Sequence, residues 1–163
     1  MSKSCSVRRL SLLEQEKPYF PMFVDLSKKK VMIIGGGKIG KRRAKVLNTF
    51  TNDLTVITKE CDEELKELGE AYGFSIIEKE FQQEDIYEAD LVLAATDDEI
   101  MNNRIYAVCK SLGIVVNVCS DKSKCDFYFP GTILTKEGVI GVTANGKDHK
   151  KAKELTERIR RIL

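Results

Sequence analysis

A chain of 163 residues with 42% hydrophobic and 32% charged side chains suits one soluble globular domain with a small appendage. Its 27 basic and 25 acidic residues nearly cancel, and a net charge of +2 gives no support to a nucleic-acid partner. No run approaches the roughly 18 apolar residues of a membrane span, and "MSKSCSVRRLSLL" has too short an apolar core for a signal peptide, so the cytoplasm is the expected compartment and no membrane partner is expected.

Residues 1–17 are polar and mixed in charge, and they read as a leader or a loosely docked arm. "YFPMFVDL" then supplies a short apolar segment carrying Asp25. "KKKVMIIGGG" reads as a buried strand running into a glycine turn. "KIGKRRAKVLNTF" follows, with Ile39, Ala44, Val46 and Leu47 spaced for a helix packed on a sheet. The alternation continues with a strand over 53–58, a helix over 61–73, a strand over 74–80 and a short "QQEDIYEA" connection. A strand over 90–96, a helix over 98–113 and a strand over 114–120 complete it.

Strands alternating with helices over this length imply a doubly wound, Rossmann-like parallel sheet in an α/β domain, with right-handed crossovers, over residues 18–120. The pattern then changes. "TIL" and "VIGVT" flank a "TKEG" turn and predict extended strands or a hairpin. "DHKKAKELTERIRRIL" places Ala152, Leu155, Ile159 and Ile162 on one face of a basic amphipathic helix. Residues 121–163 therefore form a second region of strands and a C-terminal helix.

Cys5, Cys61, Cys109, Cys119 and Cys125 show no C-x-x-C spacing, so neither a disulfide framework nor a zinc knuckle is indicated and most read as buried thiols. The single histidine, His149, has Lys147, Lys150 and Lys151 as neighbours, which repel a cation; no metal site is expected.

Gly35, Gly37 and Gly40 spell G-x-G-x-x-G between a strand and a helix, the setting of a dinucleotide-binding turn. The first glycine permits the tight turn, the second admits the pyrophosphate, the third lets helix and strand pack closely, and the helix N-terminus favours the anion. The second strand ends "VITKE", so Thr58 and Lys59 precede Glu60, the acid that would bond the ribose hydroxyls. NAD is favoured, although Lys59 facing the ribose would tolerate a 2′-phosphate. "AATDD" puts Thr96 and Asp97 at the carboxyl edge of the sheet to line the cofactor cleft, while Asp98 suits a helix cap. Asn117, in the fifth strand, joins the candidate cofactor contacts.

The combination of "VMIIGGGKIGKRRAKVL", "LTVIT", "LVLAATDDEIMNNRIYAVCKSLGIVVNV", "CDFYFPG" and "GVTANG" resembles the precorrin-2 dehydrogenase family, the module found at the N-terminus of siroheme synthases, over roughly residues 19–146. The resemblance implies NAD-dependent oxidation of precorrin-2 to sirohydrochlorin. It also implies a tetrapyrrole substrate, a homodimer built largely by the strands after the nucleotide domain and, in some members, insertion of ferrous iron as a second activity. It places Lys38 and Ile39 on the glycine turn, and Lys59 and Glu60 after the second strand, against the dinucleotide.

Many relatives carry an aspartate three residues after the asparagine of N-V, with the look of a general acid or base. This chain has Ser120 there and Asp121 beside it, which makes Asp121 the candidate catalytic carboxylate. A plain loop aspartate in a turn is the alternative. Asp126, Phe127, Tyr128 and Phe129 match the family, but alternating aromatics on a strand are more often core or dimer contacts. The basic residues Lys41, Arg42 and Arg43 read either as a patch for the macrocycle's carboxylates or as a solvated helix face. Two rival readings stand beside the enzyme: a binding module for a dinucleotide or tetrapyrrole without turnover, and, less well supported, a nucleotide-sensing regulatory domain.

Overall fold

The computed structural model describes residues 19–144 and 148–163. Residues 1–17, read above as a leader, lie outside the described residues. Five strands, β1 (Lys30–Ile34), β2 (Asp53–Thr58), β3 (Ser75–Glu78), β4 (Leu91–Ala94) and β5 (Val115–Val118), form one sheet in the order β3-β2-β1-β4-β5. Every pairing is parallel, with Ile34 opposite Ile57 on one side and Ala94 on the other. This is the Rossmann-like α/β sheet that the alternating pattern predicts.

The β-branched, apolar strands alternate between two buried faces, as a parallel sheet covered on both sides requires. Val31, Ile33, Leu54, Val56, Leu91 and Leu93 face α1 (Lys38–Leu47) and α2 (Glu63–Tyr72), where Ala44, Leu47, Leu65 and Leu68 complete the cluster. Met32, Ile34, Val92, Ala94, Val116 and Val118 face α3 (Glu99–Leu112), which contributes Ile105, Val108 and Cys109. The β3–β4 crossover contains a single 3-10 turn, Gln83–Ile86, and buries Phe81, Ile86 and Ala89 on the α3 side. Side-chain caps set the starts of α2 and α3. Asp62 accepts from the Leu65 amide at 2.9 Å, and Asp98 accepts from the Ile100 and Met101 amides at 2.8 and 3.1 Å.

The aromatic stretch after β5 is not a strand. A 3-10 turn over Lys122–Lys124 follows β5, and residues 125–130 then lie outside both sheets, with a bend at Asp126 and Phe127. They cover the α1 side of β4 and β5, where Phe127 and Phe129 pack against the core, so alternation here reflects a strap rather than a paired strand. Tyr128 points the other way and stacks on Tyr19 at 4.3 Å between ring centroids.

The predicted hairpin is present: β6 (Gly131–Leu134) pairs antiparallel with β7 (Val139–Val142). Thr135 closes the turn by accepting from the Glu137 and Gly138 amides. Helix α4 (His149–Arg160) packs on this hairpin by part of the predicted face, with Ala152 and Ile159 half-buried on either side of Thr156. Leu155 is 41% and Ile162 83% exposed, while Thr156 is buried. The reason is the close approach to Gly131, where even a Cβ would come within 2.5 Å of the Thr156 hydroxyl oxygen, leaving room for a small side chain only. The His149 side chain lies outside the described residues. No helix among the described residues is long and apolar enough to cross a membrane.

Candidate functional site

The switch point of the sheet lies between β1 and β4, and the carboxyl ends of the strands open a crevice there. Gly35 leaves β1 with φ +113, and a Cβ on it would meet the Ala95 carbonyl oxygen at 2.5 Å. A Cβ on Gly40 would lie 1.9 Å from the Gly35 carbonyl oxygen, so α1 touches the turn backbone itself. Gly37 is different: its hypothetical Cβ has nothing within 4 Å. The second glycine thus faces open space.

Gly37 is also the N-cap of α1, and no side chain caps that end. No acid occupies the first turn, which begins with Lys38 and Ile39, both exposed. Uncapped amides at a helix start, a partial positive charge and a vacant approach form the cradle that a pyrophosphate requires, so these residues fit a dinucleotide.

At the end of β2, Thr58 is buried and its hydroxyl donates to the Glu60 carbonyl at 2.9 Å, fixing the path of the loop. Lys59 and Glu60 are both exposed, and Lys59 pairs with Glu80 at 3.3 Å. At the end of β4, Thr96 is half-buried and Asp97 exposed. Buried Asn102 accepts from the Thr96 amide at 3.2 Å and hydroxyl at 2.7 Å, returns a bond to the Thr96 carbonyl at 3.0 Å, and reaches Ser120 at 3.4 Å. Asn102 thereby ties the β4 and β5 ends together, although one of two adjacent asparagines, Asn102 and Asn103, in an amphipathic helix gave no sequence signal.

Asn117 is 5% exposed and faces the aromatic strap, donating to the Phe127 carbonyl at 2.8 Å while the Cys119 thiol donates to its oxygen at 3.6 Å. Its amide therefore holds the strap. Asp126 does similar work, accepting from the Val116 amide at 3.0 Å and from Lys110 at 2.8 Å. Burial pushes the Asp126 carboxyl up, but these two partners outweigh it and leave the group below the usual range.

Asp121 caps the short 3-10 turn. It accepts from the Ser123 hydroxyl at 2.7 Å and amide at 3.0 Å, and pairs with Lys124 at 3.1 Å. These bonds, the Ser123 hydroxyl first, hold its pKa down to about 2, so the carboxylate stays ionised.

The basic cluster read from the sequence divides. Lys41 is 7% exposed and bridges Asp62 and Glu64, and Arg43 lies half-buried with its guanidinium 3.8 Å from the centroid of Phe129. Arg42 alone is exposed. Burial pushes the Arg43 pKa down, the nearby Cys119 partly opposing it. Cys119 and Cys125 are half-buried thiols whose pKa values burial raises. Among the described residues no group of three or more His, Cys, Asp or Glu side chains converges as a metal site.

A family model described as "Putative NAD(P)-binding" matches residues 22–131. The "Probable multifunctional siroheme biosynthesis protein HemA" of Ruminiclostridium josui is 37% identical over 145 residues, 88% of this chain and 28% of that protein. The "Siroheme synthase" of Actinobacillus succinogenes is 34% identical over 145 residues, 89% of this chain and 30% of that protein. The chain thus spans less than a third of the length of these curated relatives. The solved structure of "SirC, precorrin-2 dehydrogenase" superposes with a TM-score of 0.68 at 23% identity, over 89% of this chain and 71% of that one, a likeness of fold. With more than half of its length matched, the chain belongs to the "Putative NAD(P)-binding" family, and its relatives include siroheme-biosynthesis proteins, as the residue pattern implied.

Proposed function

We propose that this chain is an NAD-dependent dehydrogenase that oxidises precorrin-2 to sirohydrochlorin in siroheme biosynthesis, working in the cytoplasm as a homodimer. The observation that carries the reading is the glycine turn, whose second glycine faces open space at an uncapped helix start beside the carboxyl edge, in a chain related to siroheme synthases.

The substrate loses a hydride and a proton. NAD, when bound, accepts the hydride. Gly35, Gly37 and Gly40 let the backbone meet the pyrophosphate, with the amides of Lys38 and Ile39 at the helix start. Thr58, Lys59 and Glu60 border the adenosine ribose, Glu60 as acceptor for its hydroxyls. Thr96 and Asp97 line the nicotinamide side, held by Asn102, and Asn117 shapes the floor through the strap.

Asp121 supplies a permanent negative charge at the same edge. Loss of hydride would leave the macrocycle cationic, the fixed anion would stabilise that charge, and the proton would pass to water, because the Asp121 carboxylate is too weak a base to keep it. Insertion of ferrous iron as a substrate would use the same tetrapyrrole surface. A second reading, cofactor binding without turnover, draws on the occupied state of the Asp121 carboxylate and on Ser120 beside it.

The test is anaerobic incubation of the purified chain with precorrin-2 and NAD. Equal amounts of NADH and sirohydrochlorin are expected, and cofactor binding with no product would put the binding module in the enzyme's place.

A further inference from the structure

Among the described residues, four lysines at the corner where the adenosine ribose would lie meet carboxylates, while Lys38 on the glycine turn and Arg42 are exposed. Lys41 stands one residue past the third glycine, with its side chain 9% exposed and its ammonium 2.5 Å from Asp62 and 2.6 Å from Glu64. Lys59, directly after β2, meets Glu80 at 3.3 Å, and Lys79, whose amide bonds the Thr58 carbonyl, meets Asp85 at 2.6 Å. Lys66, on the first turns of α2, meets Glu63 at 3.7 Å.

We propose that Asp62 and Glu64 sequester Lys41 and so make the dinucleotide site selective for NAD against its 2′-phosphorylated form. This rests on the dinucleotide reading above and names the residues that set its preference. A ribose diol needs an acceptor, which exposed Glu60 provides. A 2′-phosphate needs a free cation, and Lys41, one residue past the third glycine, is held by Asp62 and Glu64 instead. Asp62 has two tasks: one oxygen caps α2 through the Leu65 amide, and the other holds Lys41. The pair also keeps the Lys41 ammonium above and the Asp62 carboxyl below their ordinary ranges, each chiefly through their mutual hydrogen bond. Lys41 and Asp62 are positioning residues, and selectivity follows from where they hold their charges.

The chain has no tryptophan, so the intrinsic fluorescence of NADH and NADPH reports their binding directly. The parent is expected to prefer NADH by about 100-fold or more, as rejection of an unpaired phosphate implies. Asp62→Asn, which keeps a cap-competent side chain, combined with Glu64→Gln frees Lys41. NADPH should then tighten at least about 10-fold while NADH stays within about 3-fold.

Adding Lys41→Met must abolish that gain, an outcome a merely structural role would not produce. If the double variant is unstable by thermal melting, Glu64→Gln alone, which leaves the cap intact, must move NADPH in the same direction. Unchanged NADPH affinity in the folded variants, or a gain that survives Lys41→Met, overturns the proposal. A parent that binds neither nucleotide overturns the dinucleotide reading with it.

Discussion

Asp121 keeps its charge far into acid because Ser123 and Lys124 bond its ionised form. Its folded pKa of about 2 lies below the ordinary 3.8, so the stability it adds is fully present above that ordinary value and is lost as pH falls toward 2. Between about pH 5 and pH 2 the parent should lose more stability than Asp121→Asn, measured by urea unfolding at each pH. If the charge acts on the macrocycle, Asp121→Asn lowers kcat about 10-fold, with no new limb between about pH 5 and pH 8. A kcat equal to the parent's would remove Asp121 from the chemistry. That Asp121 lies at the right edge was legible in "NVCSDK", but its partners depend on a 3-10 turn too short to leave a pattern. The partners of Lys41 were hidden for a different reason, since Asp62 and Glu64 lie 21 and 23 residues away.

Helix α3 does more than cover the sheet. Through Asn102 it fixes the Thr96 backbone and reaches the end of β5, so the carboxyl edge is held by one buried amide. Replacing Asn102 with Leu leaves the Thr96 amide and carbonyl without that partner and should cost about 2–3 kcal/mol in urea unfolding. A cost under about 0.5 kcal/mol would show that water replaces the amide.

At this scale the sequence announced β2 to the residue and the glycine turn by its spacing, because period and punctuation are local. The strap over 125–130 was misread as a strand, since alternation records which side is buried and not whether a neighbour pairs. The α4 face was read in part: Ala152 and Ile159 are half-buried, Leu155 and Ile162 exposed. Apolar spacing favoured Leu155, whereas the bare backbone of Gly131 selected Thr156.

Across the whole molecule the parallel pairing followed from the alternation of elements, whereas the order β3-β2-β1-β4-β5 is seen only in the structure. The proposed homodimer is written less directly. Phe20 is 88%, Met22 76% and Phe23 72% exposed, an apolar segment tied to the strap by the Tyr19–Tyr128 stack. Such a patch suits burial against a second copy. The parent should sediment as a dimer, and Phe20→Asp with Phe23→Asp as a folded monomer; identical masses would place the dimer contact elsewhere.

In the proposed reading the glycine turn and the carboxyl edge form one dinucleotide cleft. NADH titration of the parent beside Gly37→Ala probes that cleft. Gly37 has φ −71 and open space around it, so alanine fits and stability should stay within about 1 kcal/mol of the parent. The added methyl occupies the approach of the pyrophosphate, and NADH affinity should fall at least about 10-fold. A stable Gly37→Ala variant that binds NADH as tightly as the parent would contradict the cleft.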